Sequence, residues 1–171
     1  MSTMKINIRP AKHEDLDNIN RVIEAAIMTW NLPERVKRLS LSSYLYTSID
    51  FDHLDIVVVE DDSHGIVAIA AWEQADANDV PDGKTALLLH GIYVHPLHQR
   101  QEIGQQLLKR AEQAVLQHHF DALLVKAQTG AEGFFLKQGM SLLPVENTER
   151  HYASRYWKSV AANSVTTQSD L

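Results

Sequence analysis

The chain has 171 residues, 44% hydrophobic and 22% charged, with 16 basic against 22 acidic side chains and a formal net charge of −6. That is enough for one domain with a real core, and the acidic balance argues against unaided binding to nucleic acid or anionic membrane. There is no cysteine, which excludes disulfides, thiolate metal sites and cysteine nucleophiles.

Lys5 to Arg9 alternates apolar with polar residues, the pattern of a short half-buried strand, and Pro10 closes it. Leu16, Ile19, Ile23, Ala26 and Ile27 then fall at three- and four-residue steps, the stripe of an amphipathic helix. Glu14, Asp15 and Asp17 complement its dipole, although Lys12 and His13 are poor caps. Asn31-Leu32-Pro33-Glu34 reads as a second helix start, with Asn31 as cap and Pro33 in the first turn. That helix runs through Val36 and Leu39, and Leu41 to Tyr46 is either a further helix or a loop. Asp55 to Glu60 is a buried-strand pattern, Asp61 to Gly65 a turn, and Ile66 to Trp72 the returning strand. After a polar connection from Glu73 to Gly83 comes the strand Thr85 to Val94, completing an antiparallel meander. Gly91 within it suggests a bulge.

The run from Ile92 to Leu108 is the end of a strand, a short polar turn and an amphipathic helix with Ile103, Leu107, Ala111 and Val115 on one face. Such a turn leaves unpartnered N–H groups at the positive end of the helix, where an anion fits. On the residues alone, Gln99 to Gln105 is either that anion cradle or an ordinary connection. Ala122 to Lys126 is a buried strand, and strand, helix and strand in this order suggest a parallel crossover. Ala131 to Gln138 reads as a short helix ended by Gly139. Met140 to Leu143 and His151 to Trp157 read as a last pair of strands. The domain is expected to span 1–158, with a disordered tail at 159–171. No run approaches the roughly 20 apolar residues of a membrane span, and Met1 to Lys5 lack a signal region, so the cytoplasm is the expected location.

This order of elements resembles the GNAT superfamily of N-acetyltransferases over about Ile6 to Trp157. The sharpest part is Tyr93-Val94-His95-Pro96 leading to Gln99-Arg100-Gln101-Glu102-Ile103-Gly104, which looks like the acetyl-CoA signature of that family. Ala131-Glu132-Gly133-Phe134-Phe135-Leu136-Lys137-Gln138-Gly139-Met140 resembles a second family segment, which passes beside the pantetheine and thiol. The expected fold is α/β (α+β by strict definition), a single domain with a mixed, mostly antiparallel twisted sheet flanked by helices.

The resemblance implies acetyl-CoA as co-substrate and acetyl transfer to a primary amine of a small molecule or protein, by direct attack on the thioester. A homodimer is common in the family. The implied cofactor residues are Ile92, Tyr93 and Val94 along the pantetheine, Gln99, Arg100, Gln101, Glu102, Ile103, Gly104 and Gln105 around the pyrophosphate, and Gln128 and Phe135 further on. Two positions depart from the pattern. Glu102 replaces the first glycine of the signature. An inward carboxylate there would cost about 1 kcal/mol, whereas an outward one leaves the backbone N–H able to serve. Phe135 replaces the tyrosine that protonates the leaving thiolate.

Direct attack needs a base, and His90, beside Gly91, leads because a histidine titrates near neutrality. Its bland alternative is a core histidine. Glu73 is second, against a solvated carboxylate, and Tyr152 or Tyr156 could supply the missing acid, against simple strand packing. Tyr93 and Phe134 read as packing residues. His95 with His98, and His118 with His119, lack an evident set of further ligands, so no metal site is expected. The opposing reading is a non-catalytic acyl-CoA-binding or regulatory protein of the same fold.

Overall fold

The computed structural model describes residues 6–99, 102–127, 131–146 and 154–160. The expectations that fall on Arg100, Gln101, Gln128, Tyr152 and the tail after Val160 lie outside these residues. Seven strands form one mixed sheet in the order β1-β2-β3-β4-β5-β7-β6, and the chain divides into two compact units, Met1–Ala71 with Ile92–Leu107 and Trp72–Gly91 with Leu108–Leu171.

In the first unit, β1 (Ile6–Pro10) pairs antiparallel with β2 (Asp55–Asp61), from Ile6 opposite Asp61 to Pro10 opposite Val57. The turn Asp62 to His64 connects β2 to β3 (Gly65–Gln74), its neighbour in the sheet. Gly65 has φ +73, a conformation that side chains disfavour, which is why the turn closes on glycine. The stripe read from the sequence is the buried face of α1 (Leu16–Ile27): Ile19, Val22, Ile23, Ala26 and Ile27 pack with Ile56, Val58, Ile69, Ala71 and Tyr93.

α1 itself has no side-chain cap; the capping contact belongs to the short 3-10 turn before it, His13–Asp15. Asp15 accepts the Lys12 N–H at 2.7 Å and a bidentate pair from Arg9, at 2.8 and 3.0 Å, while Arg9 Nε also bonds Glu60. The Arg9 guanidinium, opposed by partial burial, holds the Asp15 carboxyl below its ordinary value. A depressed folded-state pKa stabilises above the unfolded carboxylate value, and that contribution is lost as pH falls through the folded value. Asp15→Asn is therefore expected to cost about 1–2 kcal/mol at neutral pH. Urea unfolding should show the gap to the parent closing below about pH 4; a gap independent of pH would refute the role of the charge.

The second helix differs from its expectation. α2 (Glu34–Tyr44) begins after Pro33, whose extended backbone (ψ 143°) takes the cap position in place of Asn31. Its inward residues are Lys37, Leu41 and Tyr44, whereas Val36 and Leu39 are exposed. Lys37 is buried because its ammonium donates to the Met28 carbonyl at 2.7 Å, satisfying the end of α1. Of the stretch Leu41 to Tyr46, Leu41 to Tyr44 ends α2 and Leu45 and Tyr46 follow outside any helix; the four-residue α3 (Asp50–His53) comes after them and carries no periodicity to read.

In the second unit, β4 (Ala86–Val94) pairs parallel with β5 (Ala122–Lys126), Ala86 opposite Ala122 and Leu89 opposite Val125. β4 itself runs unbroken through Gly91. The crossover is α4 (Ile103–Gln117), which ends with His119 at φ 60 and the Phe120 N–H on the Val115 carbonyl at 3.0 Å. That is the left-handed helix stop usually made by glycine. It gives His118 and His119 a structural role, with the His118 ring stacked 5.4 Å from Phe120. After α5 (Glu132–Lys137), β6 (Ser141–Leu142) and β7 (Arg155–Ser159) pair antiparallel, and β7 also pairs antiparallel with β5. Of the strand expected from His151 to Trp157, Arg155 to Trp157 lie in β7, and His151 to Ala153 fall outside the described residues. Buried Arg155 donates to the Asp79 and Pro144 carbonyls at 2.6 and 2.9 Å, tying the connection between β3 and β4 to β7.

Candidate active site

Two residues expected separately as bases meet. Along β4, Leu87 and Leu89 are buried and alternation turns His90 to the other face, where it is exposed. Glu73 lies near the end of β3, the neighbouring strand. The His90 Nε2 is 2.5 Å from the Glu73 Oε2, with the two side chains 35% and 39% exposed. His90 thus lies on the exposed face of β4 rather than in the core, and Glu73 stands within β3 rather than in the loop that follows. An imidazole whose Nε2–H donates to a carboxylate carries its basic lone pair on Nδ1. The pair therefore has the parts of a general base with an orienting carboxylate.

The strand-turn-helix cradle lies in the first unit. After Val94 a short 3-10 turn, Pro96–His98, starts with the His95 Nδ1 accepting the Leu97 N–H at 3.3 Å. The His95 N–H donates to the Val67 carbonyl at 2.8 Å, anchoring the turn on β3. Gln99 is exposed and its amide donates to the Val94 carbonyl at 3.3 Å. Among the described residues, the first backbone bond of α4 runs from the Gln106 N–H to the Glu102 carbonyl at 3.1 Å. The N–H groups of Ile103, Gly104 and Gln105 therefore precede it, as donors at a helix start. Ile103 is fully buried and anchors this turn to the core, while Gly104 and Gln105 are half-buried.

Glu102 is exposed and adopts φ 59, the left-handed region in which a Cβ is disfavoured. The glycine absent from this position in the sequence is thus the residue its backbone would suit. The residue is exposed, and its left-handed backbone makes the turn into α4. Glu102→Gly is expected to raise stability by up to about 1 kcal/mol, since relief of strain is partly offset by the freer unfolded chain. A rise in the urea midpoint at unchanged m-value checks this, and an unchanged or lower midpoint would refute the strain.

Ile92, Tyr93 and Val94 end β4, and the Tyr93 ring is buried in the first core, where burial and then Tyr44 push its phenol well above the ordinary value. It is a packing residue whose backbone alone is available to a ligand. Phe135 is buried in the second unit, edge-on to Phe134 at 5.2 Å and stacked 6.5 Å from Tyr156. Tyr156 is thus the phenol that the fold brings alongside the position lacking one. The proximity of Tyr156 to Phe135, and of Glu73 to His90, had no signal in local sequence. Glu73 and His90 meet across neighbouring strands, and Tyr156 of β7 meets Phe135 of α5.

A family model for the acetyltransferase (GNAT) domain matches residues 52–139. No curated protein matches the chain. Solved structures do. The PaiA N-acetyltransferase from Thermoplasma acidophilum, in complex with coenzyme A, is 15% identical with a TM-score of 0.71, over 91% of this chain and 99% of that one. A GNAT family acetyltransferase from Brucella melitensis, in complex with acetyl-CoA, is 14% identical with a TM-score of 0.63, over 92% and 89%. A KacTA–DNA complex contains a chain 15% identical with a TM-score of 0.65, over 97% and 99%.

Proposed function

This chain belongs to the GNAT acetyltransferase family, and from that premise we propose that it is an acetyl-CoA-dependent N-acetyltransferase acting on a primary amine in the cytoplasm. The observation that carries the reading is the Glu73–His90 pair. Amines are protonated near neutral pH, so attack on a thioester requires a group that removes the proton. Acetyl-CoA supplies the acetyl group as a thioester. His90 takes the proton from the attacking amine on Nδ1, and Glu73 holds the ring and stabilises the imidazolium that results. The backbone N–H groups of Ile92 to Val94 are the donors this reading assigns to the carbonyl oxygen and the pantetheine. The helix-start N–H groups of Ile103, Gly104 and Gln105 are those assigned to the pyrophosphate. Arg100 and Gln101 complete that loop in sequence. The C–N bond forms as the C–S bond breaks. A thiolate leaves readily, so Phe135 is tolerable without a hydroxyl at that position. The net charge of −6 suits a cationic acceptor.

Thiol release from acetyl-CoA tests this directly, because the chain has no cysteine to react with the thiol reagent. Small amines, amino acids, polyamines, aminoglycosides and peptides should be tried in turn. One acceptor class is expected to accelerate release. Acetyl-CoA should also raise the melting temperature, by about 2.7 kcal/mol of added stability at a ligand concentration 100 times Kd. No thermal shift at millimolar acetyl-CoA would refute cofactor binding. A shift with no thiol release across the panel would favour an acyl-CoA-binding regulator instead.

A further inference from the structure

The β2–β3 turn and the 3-10 turn after β4, far apart in sequence, bring three metal-ligating side chains together within the first unit. Asp61 ends β2, His64 stands in the turn, and His98 closes the segment Pro96–His98. One ligand atom from each lies within 4.8 Å of the other two. We infer that Asp61, His64 and His98 form a binding site for a divalent transition-metal ion of the zinc type.

The carboxylate is aimed by the turn: the Asp61 Oδ1 accepts the Ser63 N–H at 3.0 Å, which directs Oδ2 to the His64 Nδ1 at 2.8 Å. His98 comes from the other side, its ring edge-on to His64 with centroids 5.1 Å apart. Its position is set by its N–H on the His95 carbonyl, at 2.8 Å, and by the anchoring of His95 on β3. Asp61 and His98 are both buried, each 8% exposed, while His64 is open to solvent. Two ligands are therefore held by the fold and the third is free to adjust. Zinc–nitrogen and zinc–oxygen bonds near 2.1 Å place tetrahedral ligand atoms about 3.3 Å apart. The three ligand atoms, all within 4.8 Å of one another, bracket that spacing. An ion seated there takes the place of the hydrogen bond between Asp61 and His64. Two imidazoles and one carboxylate suit zinc and its neighbours over calcium or magnesium, which prefer oxygen alone. The exposed side leaves coordination positions open to water. The sequence expectation of no metal considered only histidines adjacent along the chain.

Titration of the tag-free, chelator-stripped chain with Zn2+, by calorimetry, and with Co2+, by visible absorption, tests the site. One ion per chain is expected, with Co2+ giving a nitrogen-and-oxygen spectrum. His64→Ala and Asp61→Asn should each weaken binding about tenfold or more, and His118→Ala should leave it unchanged. His64 is exposed, so His64→Ala should keep the metal-free melting temperature and report on binding alone. A Kd weaker than about 100 µM in the parent, or equal affinity in His64→Ala, overturns the site.

Discussion

His90→Ala is expected to lower kcat by about 10²- to 10⁴-fold while leaving acetyl-CoA affinity within about threefold. The reason lies in what the side chain can touch. Its ring is on the exposed face of β4 and bonded to Glu73, so it contributes little to either core, and the cost of removing it falls on proton transfer. Glu73→Gln keeps a hydrogen-bonding partner for Nε2 but removes the charge that favours the imidazolium, and about a tenfold loss in kcat follows. The double variant should be little worse than His90→Ala alone, because Glu73 acts through the ring. The pH–rate profile is the decisive measurement: the parent should lose rate on the acid side, where the imidazole is protonated, and His90→Ala should lack that limb. An unchanged profile would return His90 to the role of a surface residue on its strand.

Gly104→Glu is expected to weaken acetyl-CoA binding by about 30- to 100-fold while the empty protein becomes no less stable. The two effects come from the same carboxylate. Glycine is a poor helix residue and glutamate a good one by about 0.5–1 kcal/mol, and an acid in the first turn of α4 complements the dipole. The same charge set among the helix-start donors repels a pyrophosphate by about 2–3 kcal/mol at the effective dielectric of a protein surface. Thermal melts with and without acetyl-CoA separate these: the apo midpoint should hold or rise, and the ligand-induced shift should collapse. An unchanged shift would place the phosphates elsewhere. Paired with Glu102→Gly at the neighbouring exposed position, the experiment asks which of two adjacent side-chain directions faces the ligand.

The elements that local sequence specified are those whose free energy is decided within a few residues. The three- and four-residue stripe of α1 buries the face it announced. The alternation of β1, the glycine-closed turn before β3 and the strand-turn-helix from Ile92 onward are also in place. Where local signals were weak or ambiguous, the boundaries moved. Asn31 offered a good cap, but Pro33 starts the helix, and α3 is too short for any period. Asp15 closes the 3-10 turn before α1, accepting the Lys12 N–H, because Arg9 holds its carboxylate in place.

The functional chemistry divides along the same line. The sequence by itself determined the family resemblance, the strand-turn-helix order from Ile92 onward and the separate candidacy of His90 and Glu73, since residue type and spacing are properties of one segment. Only the tertiary structure decided that these two form a pair, that Tyr156 lies against Phe135, and that Asp61 and His64 meet His98. It also decided that Glu102 takes the left-handed conformation that suits glycine. Such contacts depend on strand order and register, which are fixed by burial summed over the whole core. No stretch of a few residues carries that sum.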